Sequence, residues 1–519
     1  MNLPEFRNEP LSDFHGNPEH KRRMEESLRE VAGELGREYD LVIAGERVRT
    51  AEKFTSVNPG RKNQVVGSFS KASTELAERA LGAAEEAFAS WGRSPVEQRV
   101  KLVSDTARII REHKYQFAAW MVYEVGKTWA EADADVAEAI DFAEFYAREM
   151  LRLAQPRPLT PVPEEKNILR YIPLGAGVVI PPWNFPLAIT TGLTTAAIVT
   201  GNTVVLKPSS DSPATAYKFI EALEQAGMPP GVVNYLTGPG SSIGDVLVAH
   251  PRTRFVAFTG SKDVGLRIHE LASKRAPGQV WVKRTVLEMG GKDSIVVDSE
   301  TDLDLAVEGV AASAFGYQGQ KCSACSRAIV VEKVYDAFLN KLKERVEKIN
   351  VGAPEDPKSD MGPVINAEAE KSILSYIETG KKEGRLLTGG GEAAAAGYFL
   401  EPTVIADVPP TARVAQEEIF GPVLAVIPAS NFDEALKIAN NTEYGLTGAV
   451  YTKNRHKLER AAEEFHVGNL YFNRKCTGAM VGVHPFGGFN MSGTDSKAGG
   501  YDYLLLFTQA KTLSEKIVP

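Results

Sequence analysis

From residue 175 the hydrophobic pattern of the chain switches repeatedly between two periods. Short runs such as GVVI (177–180), TVVL (203–206), VVNYL (232–236) and RFVAF (254–258) are apolar almost throughout. Each is followed by a helical segment, at 186–200, 212–226, 241–249 and 262–275. Apolar runs separated by helices predict βαβ units and a parallel, doubly wound sheet, because strands covered on both faces have no polar side to show. The alternation resumes after LEMGGK (287–292), with SIVV, a helix over 303–315, a segment carrying two cysteines, AIVV and a helix over 334–349. A second α/β unit therefore begins near residue 290.

Before residue 175 the pattern is mostly helical. Residues 15–38 are polar with sparse apolar positions, predicting a surface helix, and DLVIAGERVRT then predicts a short strand and turn. Leu76, Ala80, Ala83, Ala87, Phe88 and Trp91 recur at helical spacing, and similar periodicity runs over 97–123 and 129–154. Four prolines between 156 and 164 break it, which predicts an extended connector or arm over 155–173. The alanine-rich stretch EAAAAG (392–397) predicts a loop. The resulting division is 1–154 with 174–290 for the first unit and 291–502 for the second.

Composition removes whole classes of function. With 43% hydrophobic and 24% charged residues in 519, the chain is expected to form two or three globular domains. Its 59 basic and 67 acidic residues give a net charge of −8 without a basic block, which argues against nucleic acid as a partner. No apolar run is long enough to cross a membrane and the N-terminus lacks a signal-peptide layout. Three cysteines in this length suggest a reducing compartment, so the expectation is cytoplasmic.

Ligands of doubly wound sheets gather at the carboxyl ends of the strands, where loops and helix N-termini expose backbone amides. Three loops qualify: KPSSDSP after TVVL, TGPGSSIG after VVNYL, and TGSKDVG after RFVAF. Glycine-rich turns are common for geometric reasons, and a lysine such as Lys207 is more often solvated than functional. GQKCSACSR (319–327) presents two cysteines in C-x-x-C spacing. Zinc would need about four ligands, but the third cysteine, Cys476, stands alone, with no histidine pair beside it. A redox dithiol, a single nucleophile with a bystander, and two inert core cysteines all remain open on spacing alone.

The neighbours of Cys322 narrow this. GQKCSACSR resembles the nucleophile segment of the aldehyde dehydrogenase superfamily. PWNFP (182–186), KPS (207–209), FTGS (258–261), LEMGGK, EEIFGP (417–422) and PFGG (485–488) stand in that superfamily's order along nearly the whole chain. The resemblance implies an aldehyde dehydrogenase-like fold: a Rossmann-like cofactor domain, a catalytic domain, and an oligomerisation arm from 155–173 and 503–519, hence a homo-oligomer. It implies Cys322 as nucleophile, with Cys325 a packing neighbour. Asn184 and the Cys322 backbone N–H would form the oxyanion hole, and Glu288 would be the base that activates water. NAD would be the cofactor, with Lys207 on the adenosine ribose, Gly260 and Ser261 at the pyrophosphate, Glu418 on the nicotinamide ribose and Phe420 beside it.

The chemistry fits these residue types. A neutral aldehyde is a poor hydride donor and its cysteine adduct a good one; the oxyanion needs neutral preorganised donors, and the thioester that follows needs a carboxylate base.

Within the superfamily, YFNRKCTGAMVGVHPFGG (471–488), GQKCSACSR and YEVGK (123–127) resemble the branch that oxidises glutamate γ-semialdehyde, the 1-pyrroline-5-carboxylate dehydrogenases, in the second step of proline degradation. A dehydrogenase of another carboxylated semialdehyde, such as succinate semialdehyde, is the alternative. That branch would read a carboxylate with Ser323 and the backbone amides of Gly478 and Ala479, while Phe185 and Phe486 pack the aliphatic stem. His484 stands where the branch is expected to carry glutamine. Ser210 replaces an acidic residue that would repel the 2′-phosphate of NADP, so NADP is expected to be tolerated.

Overall fold

A computed structural model of the chain describes residues 3–157, 159–393 and 396–517. Residue 158 of the arm, the two middle alanines of the 392–397 loop and the last two residues of the tail lie outside them.

Two seven-stranded sheets carry the molecule. Across the first, the strands run in the order Arg284–Glu288, Phe255–Thr259, Ala176–Ile180, Thr203–Leu206, Val233–Tyr235, Leu41–Ile43 and Glu46–Val48. The first five are mutually parallel, as the apolar runs predicted. The last two form an antiparallel edge. In the second sheet the order is Arg385–Thr388, Thr403–Ala406, Val423–Ala429, Cys325–Val331, Asp293–Val297, Thr447–Tyr451 and Asn469–Phe472. Close packing at the first sheet's centre explains Gly177, where any Cβ would enter the ring of Phe255.

Of the helical block, Thr74–Trp91 packs on the first sheet, and the helices after it pack on Ala188–Val199 and Pro213–Gln225. The stretch 97–123 is two helices, Val96–Glu112 and Lys114–Val125, divided at His113. The long helix Trp129–Leu153 follows, and most of its residues are buried. An extended N-terminal strap lies across it: Ser12 donates from backbone and hydroxyl to Asp133 at 2.7 Å, and Asn8 Nδ2 donates to Asp141 Oδ2 at 2.8 Å.

The arm is a two-stranded antiparallel ribbon, Glu165–Pro173 with Thr508–Lys516. The tail does not leave the body at 503. Tyr503, Leu504 and Phe507 are buried in the core of the first unit, and the strand begins at Thr508.

Candidate active site

In the first sheet the chain builds strands outward from Ala176–Ile180 in one direction, then returns to add Phe255–Thr259 and Arg284–Glu288 on the other side. The crevice at such a switch point opens at the carboxyl ends of the strands. Asn184, Lys207, Gly260, Ser261 and Glu288 all stand there. Five residues after Glu288 the chain starts an interior strand of the second sheet at Asp293, so the edge strand of the first sheet runs directly into the second.

The cysteine loop reaches this junction through a strained turn. After the helix Leu303–Phe315, Tyr317 and Gln318 adopt left-handed conformations (φ 49° and 56°), followed by Gly319 at φ 67°. Non-glycine residues rarely hold such angles unless their surroundings fix them. Here Tyr317 Oη donates to Val125 O at 3.0 Å, and Gln318 Nε2 donates to Pro363 O at 2.7 Å and Gly126 O at 3.2 Å. The reversal presents Cys322, half-buried, immediately before the strand Cys325–Val331. Asn184 Nδ2 donates to Gln320 O at 3.0 Å, tying the first sheet's loop to this one.

The other two cysteines face inward. Cys325 and Cys476 are buried, their sulfurs directed at the carbonyls of Arg327 (3.5 Å) and Ser323 (3.4 Å). Burial also pushes the Cys322 thiol well up, and the carboxylates of Asp293, Glu418 and Glu288 add to the shift. The resting nucleophile candidate is therefore a neutral thiol.

Glu288 is the buried last residue of its strand. Its Oε1 accepts from the Ser496 hydroxyl and, at 3.3 Å, from the Ser496 N–H, while Oε2 is buried with no partner among the described residues. Burial pushes this carboxyl up to about 7, with the Ser496 hydrogen bonds opposing the shift. Ser496 lies 208 residues further along the chain, and no local pattern marks it.

Of the cofactor candidates, Lys207 is almost wholly buried, with Nζ donating to Pro208 O at 3.2 Å, and burial lowers it to about 8. Ser210 Oγ makes a long contact, 3.4 Å, to Gly238 O. Ser261 precedes the helix Lys262–Ser273 and its side chain caps no amide there. Gly260 is different: its N–H already donates to Glu288 O at 3.0 Å, so it is not a free donor, and a Cβ there would run into the Phe258 ring. Glu418 Oε1 accepts from Gly291 N–H at 3.0 Å. Phe420, at φ 57°, sets its ring edge-on to Trp183 at 5.6 Å.

On the opposite side, Gly478 (φ 76°) and Ala479 lie on a loop held by Arg474, whose Nη2 donates to Thr477 O at 2.9 Å and Gly478 O at 3.1 Å. A Cβ on Gly478 would sit 3.5 Å from Lys475 Nζ. Phe486 pairs by backbone with Ala498. The ring of Phe185 lies 4.1 Å from Lys127 Nζ, as does that of Tyr317, and Lys127 forms a fully buried ion pair with Asp135 at 3.3 Å. Ser323 is buried and its carbonyl accepts from Thr447 Oγ1 at 3.3 Å. His484 Nδ1 faces the Met480 N–H at 3.2 Å and its Nε2 faces Arg474 at 3.3 Å; burial and Arg474 lower its pKa. The ring thus stays neutral and braces this loop.

Arg474, Lys475, Lys127, Asp135 and Ser496 were not singled out in the sequence. Lys127 lies inside YEVGK and the two cations inside YFNRKC, so the segments were visible but the roles of these positions were not.

The aldehyde dehydrogenase family model matches residues 47–513. The chain belongs to the aldehyde dehydrogenase family. Among curated relatives, a 1-pyrroline-5-carboxylate dehydrogenase of Geobacillus sp. (strain WCH70) is 59% identical over 510 residues, spanning 98% of this chain and 99% of that protein. One from Bacillus cytotoxicus is 55% identical over 99% of both. Among solved structures, 1-pyrroline-5-carboxylate dehydrogenase from Thermus with bound NAD superposes with a TM-score of 0.98 at 53% identity, over 99% of this chain and 100% of that one. The fold is thus that of the aldehyde dehydrogenases, and no helix among the described residues is long and apolar enough to cross a membrane.

Proposed function

We propose that this aldehyde dehydrogenase oxidises L-glutamate γ-semialdehyde, the open form of 1-pyrroline-5-carboxylate, to L-glutamate with NAD. One observation carries the reading. At the joint of the two sheets stand the half-buried Cys322 thiol, the Asn184 amide bonded to the carbonyl two residues before it, and the Glu288 carboxyl at about 7 with one unspent oxygen, near enough to weigh on that thiol. Relatives named for this activity at 55–59% identity over nearly the whole chain support the substrate.

The residues present fit a dinucleotide. The helix Lys262–Ser273 begins without a side-chain cap, so its first amides are free for an anion, and Lys207 and Glu418 are held at strand and loop ends on either side. Lys207 and Ser210 would meet the adenosine ribose, Ser261 and the turn at Gly260 the pyrophosphate, and Glu418 with Phe420 the nicotinamide ribose. NAD, when bound, supplies the hydride acceptor.

Cys322 Sγ loses its proton to solvent and adds to the aldehyde carbon, while Glu288 stays ionised for the later step. The oxyanion that forms receives the second Nδ2 hydrogen of Asn184 and the Cys322 N–H; such donors are worth about 3–4 kcal/mol in the transition state. Once hydride has left, the carbon is a thioester. Glu288 then takes a proton from water, hydroxide oxygen bonds the acyl carbon, the C–S bond breaks, the proton passes from Glu288 to the leaving sulfur, and glutamate departs from a restored thiol and an ionised base.

Small residues at Gly478 and Ala479 let a substrate carboxylate reach backbone N–H groups beside Ser323, and Arg474 and Lys475 make that end cationic. Steady-state rates with glutamate γ-semialdehyde and succinate semialdehyde test the assignment; a higher kcat/KM for succinate semialdehyde overturns it. The exposed ribbon Glu165–Pro173 with Thr508–Lys516 supports an oligomer of at least two chains, which light scattering at micromolar concentration would check.

A further inference from the structure

Asp293 is a buried carboxyl beside the nucleophile loop that no role above uses. It opens the strand Asp293–Val297, and its Oδ1 accepts from the Thr447 N–H at 2.7 Å. Its Oδ2 is buried and has no hydrogen-bond partner among the described residues. That oxygen faces the Cys322 main chain: a Cβ at Gly291 would collide with Asp293 Oδ2 and with the Cys322 carbonyl oxygen together. Two oxygen acceptors thus border the same small space, which exists because residue 291 is glycine.

The cations nearby do not resolve this conflict. Arg327 is spent, donating to Lys292 O (3.0 Å), Ser294 Oγ (2.8 Å), Ile438 O (3.1 Å) and Ala439 O (2.9 Å). Lys292 Nζ makes no hydrogen bond to the carboxyl. The remaining titratable neighbours are Glu418, Cys322, Cys325, Cys476 and Tyr471, which carry no positive charge in any state. Arg327 and Lys292 act on the carboxyl only through space; an ionised carboxylate with no hydrogen-bonded cation in such a place is costly, whereas a proton on Oδ2 removes both the charge and the repulsion.

We propose that Asp293 is held as the neutral acid and donates its Oδ2 proton to the Cys322 carbonyl oxygen, making it a positioning residue for the nucleophile. Burial raises this carboxyl well above its ordinary range, in keeping with that state. The neutral form also matters to the thiol. An ionised Asp293 is the largest of the carboxylate contributions that disfavour the Cys322 thiolate, so holding the proton there lowers the barrier to forming the nucleophile.

The inference rests on Cys322 as nucleophile, and its test separates the two. Iodoacetamide alkylation of Cys322, followed by peptide mass spectrometry across pH, reads the thiol without any turnover. Asp293→Asn puts an N–H donor where the acid O–H stood, so its alkylation profile should overlay the wild type and kcat should stay within about twofold. Asp293→Ala removes the donor and should lower kcat about tenfold, the size of one lost hydrogen bond to a positioned group. An alkylation midpoint that moves a full pH unit lower in Asp293→Asn would mean that wild-type Asp293 is ionised and would overturn the proposal. Equal kcat in the Ala and Asn variants would overturn the hydrogen bond. If Asp293→Ala does not fold, the Asn profile decides alone. Failure of the nucleophile reading shows separately, as activity surviving in Cys322→Ala.

Discussion

Two glutamates of this chain, Glu124 and Glu288, share one electrostatic perturbation: burial pushes each carboxyl up to about 7. Their hydrogen bonds differ. Glu124 Oε1 accepts from the Ala214 N–H at 2.6 Å, and Oε2 accepts from the N–H and hydroxyl of Thr215, both at 2.7 Å. These are first-turn groups of the helix Pro213–Gln225, so Glu124 caps a helix from across the core. Glu288 spends only one oxygen, on Ser496, and keeps the other bare at the sheet edge. A shifted pKa alone marks neither catalysis nor structure. The unspent oxygen in the crevice distinguishes the proposed base from the brace.

The largest effect that can break this comparison lies with the group Glu288 is meant to serve. Cys322→Ala should cost at least about 10⁴-fold in kcat, while Cys325→Ala, whose side chain points into the second core, keeps most activity. NADH absorbance follows both. Equal losses would return the pair to a dithiol reading.

The glutamates themselves come next. Glu288→Gln should slow thioester hydrolysis about 10²–10⁴-fold and leave a pre-steady-state burst of NADH. Glu124→Gln should leave burst and steady rate near wild type, yet lose about 1–3 kcal/mol of stability by setting an amide donor against donors that need an acceptor. Stopped-flow traces and urea melts separate the two outcomes; a burst missing from Glu288→Gln removes it from the deacylation step.

The pH dependence sharpens the same contrast. Deacylation should fall about tenfold per unit as pH drops below about 7, because only the ionised carboxylate can take water's proton. For stability the sign is opposite to that of an ordinary ion-paired acid. A carboxyl raised in the folded state binds its proton more tightly there, so its favourable contribution is full below about 4.5 and is lost as pH rises through about 7. The melting temperature of Glu288→Gln relative to wild type should therefore be higher at pH 8 than at pH 4.5. A difference independent of pH would mean that the folded carboxyl titrates normally.

Smaller effects probe the ends of the crevice. Ala479→Leu should lower kcat/KM for glutamate γ-semialdehyde about a hundredfold and spare a simple aliphatic aldehyde; similar losses on both would mean the loop does not read the carboxylate. Ser210→Glu should reduce NADP efficiency by about 1–3 kcal/mol with NAD untouched, and a wild type inactive with NADP would put the discrimination elsewhere.

Much of the architecture is legible in the chain because of how parallel strands are buried. A strand covered on both faces must be apolar at every position, so GVVI, TVVL and SIVV betray the two sheets without help from distant residues. The motifs around Asn184, Glu288 and Cys322 are equally local, each being a loop at the end of one strand or the start of another. What the sequence leaves open is which distant polar atom meets which. That Ser496 holds Glu288, that Tyr317 and Gln318 are forced left-handed by the carbonyls of Val125, Gly126 and Pro363, that Lys127 is neutralised by Asp135 beneath Phe185, and that Tyr503 to Phe507 fold into the core before the arm begins are facts of tertiary contact. Periodicity records how much of a segment is hidden from water, whereas a buried hydrogen bond or ion pair depends on two segments arriving at the same few ångströms, and neither segment alone carries that information.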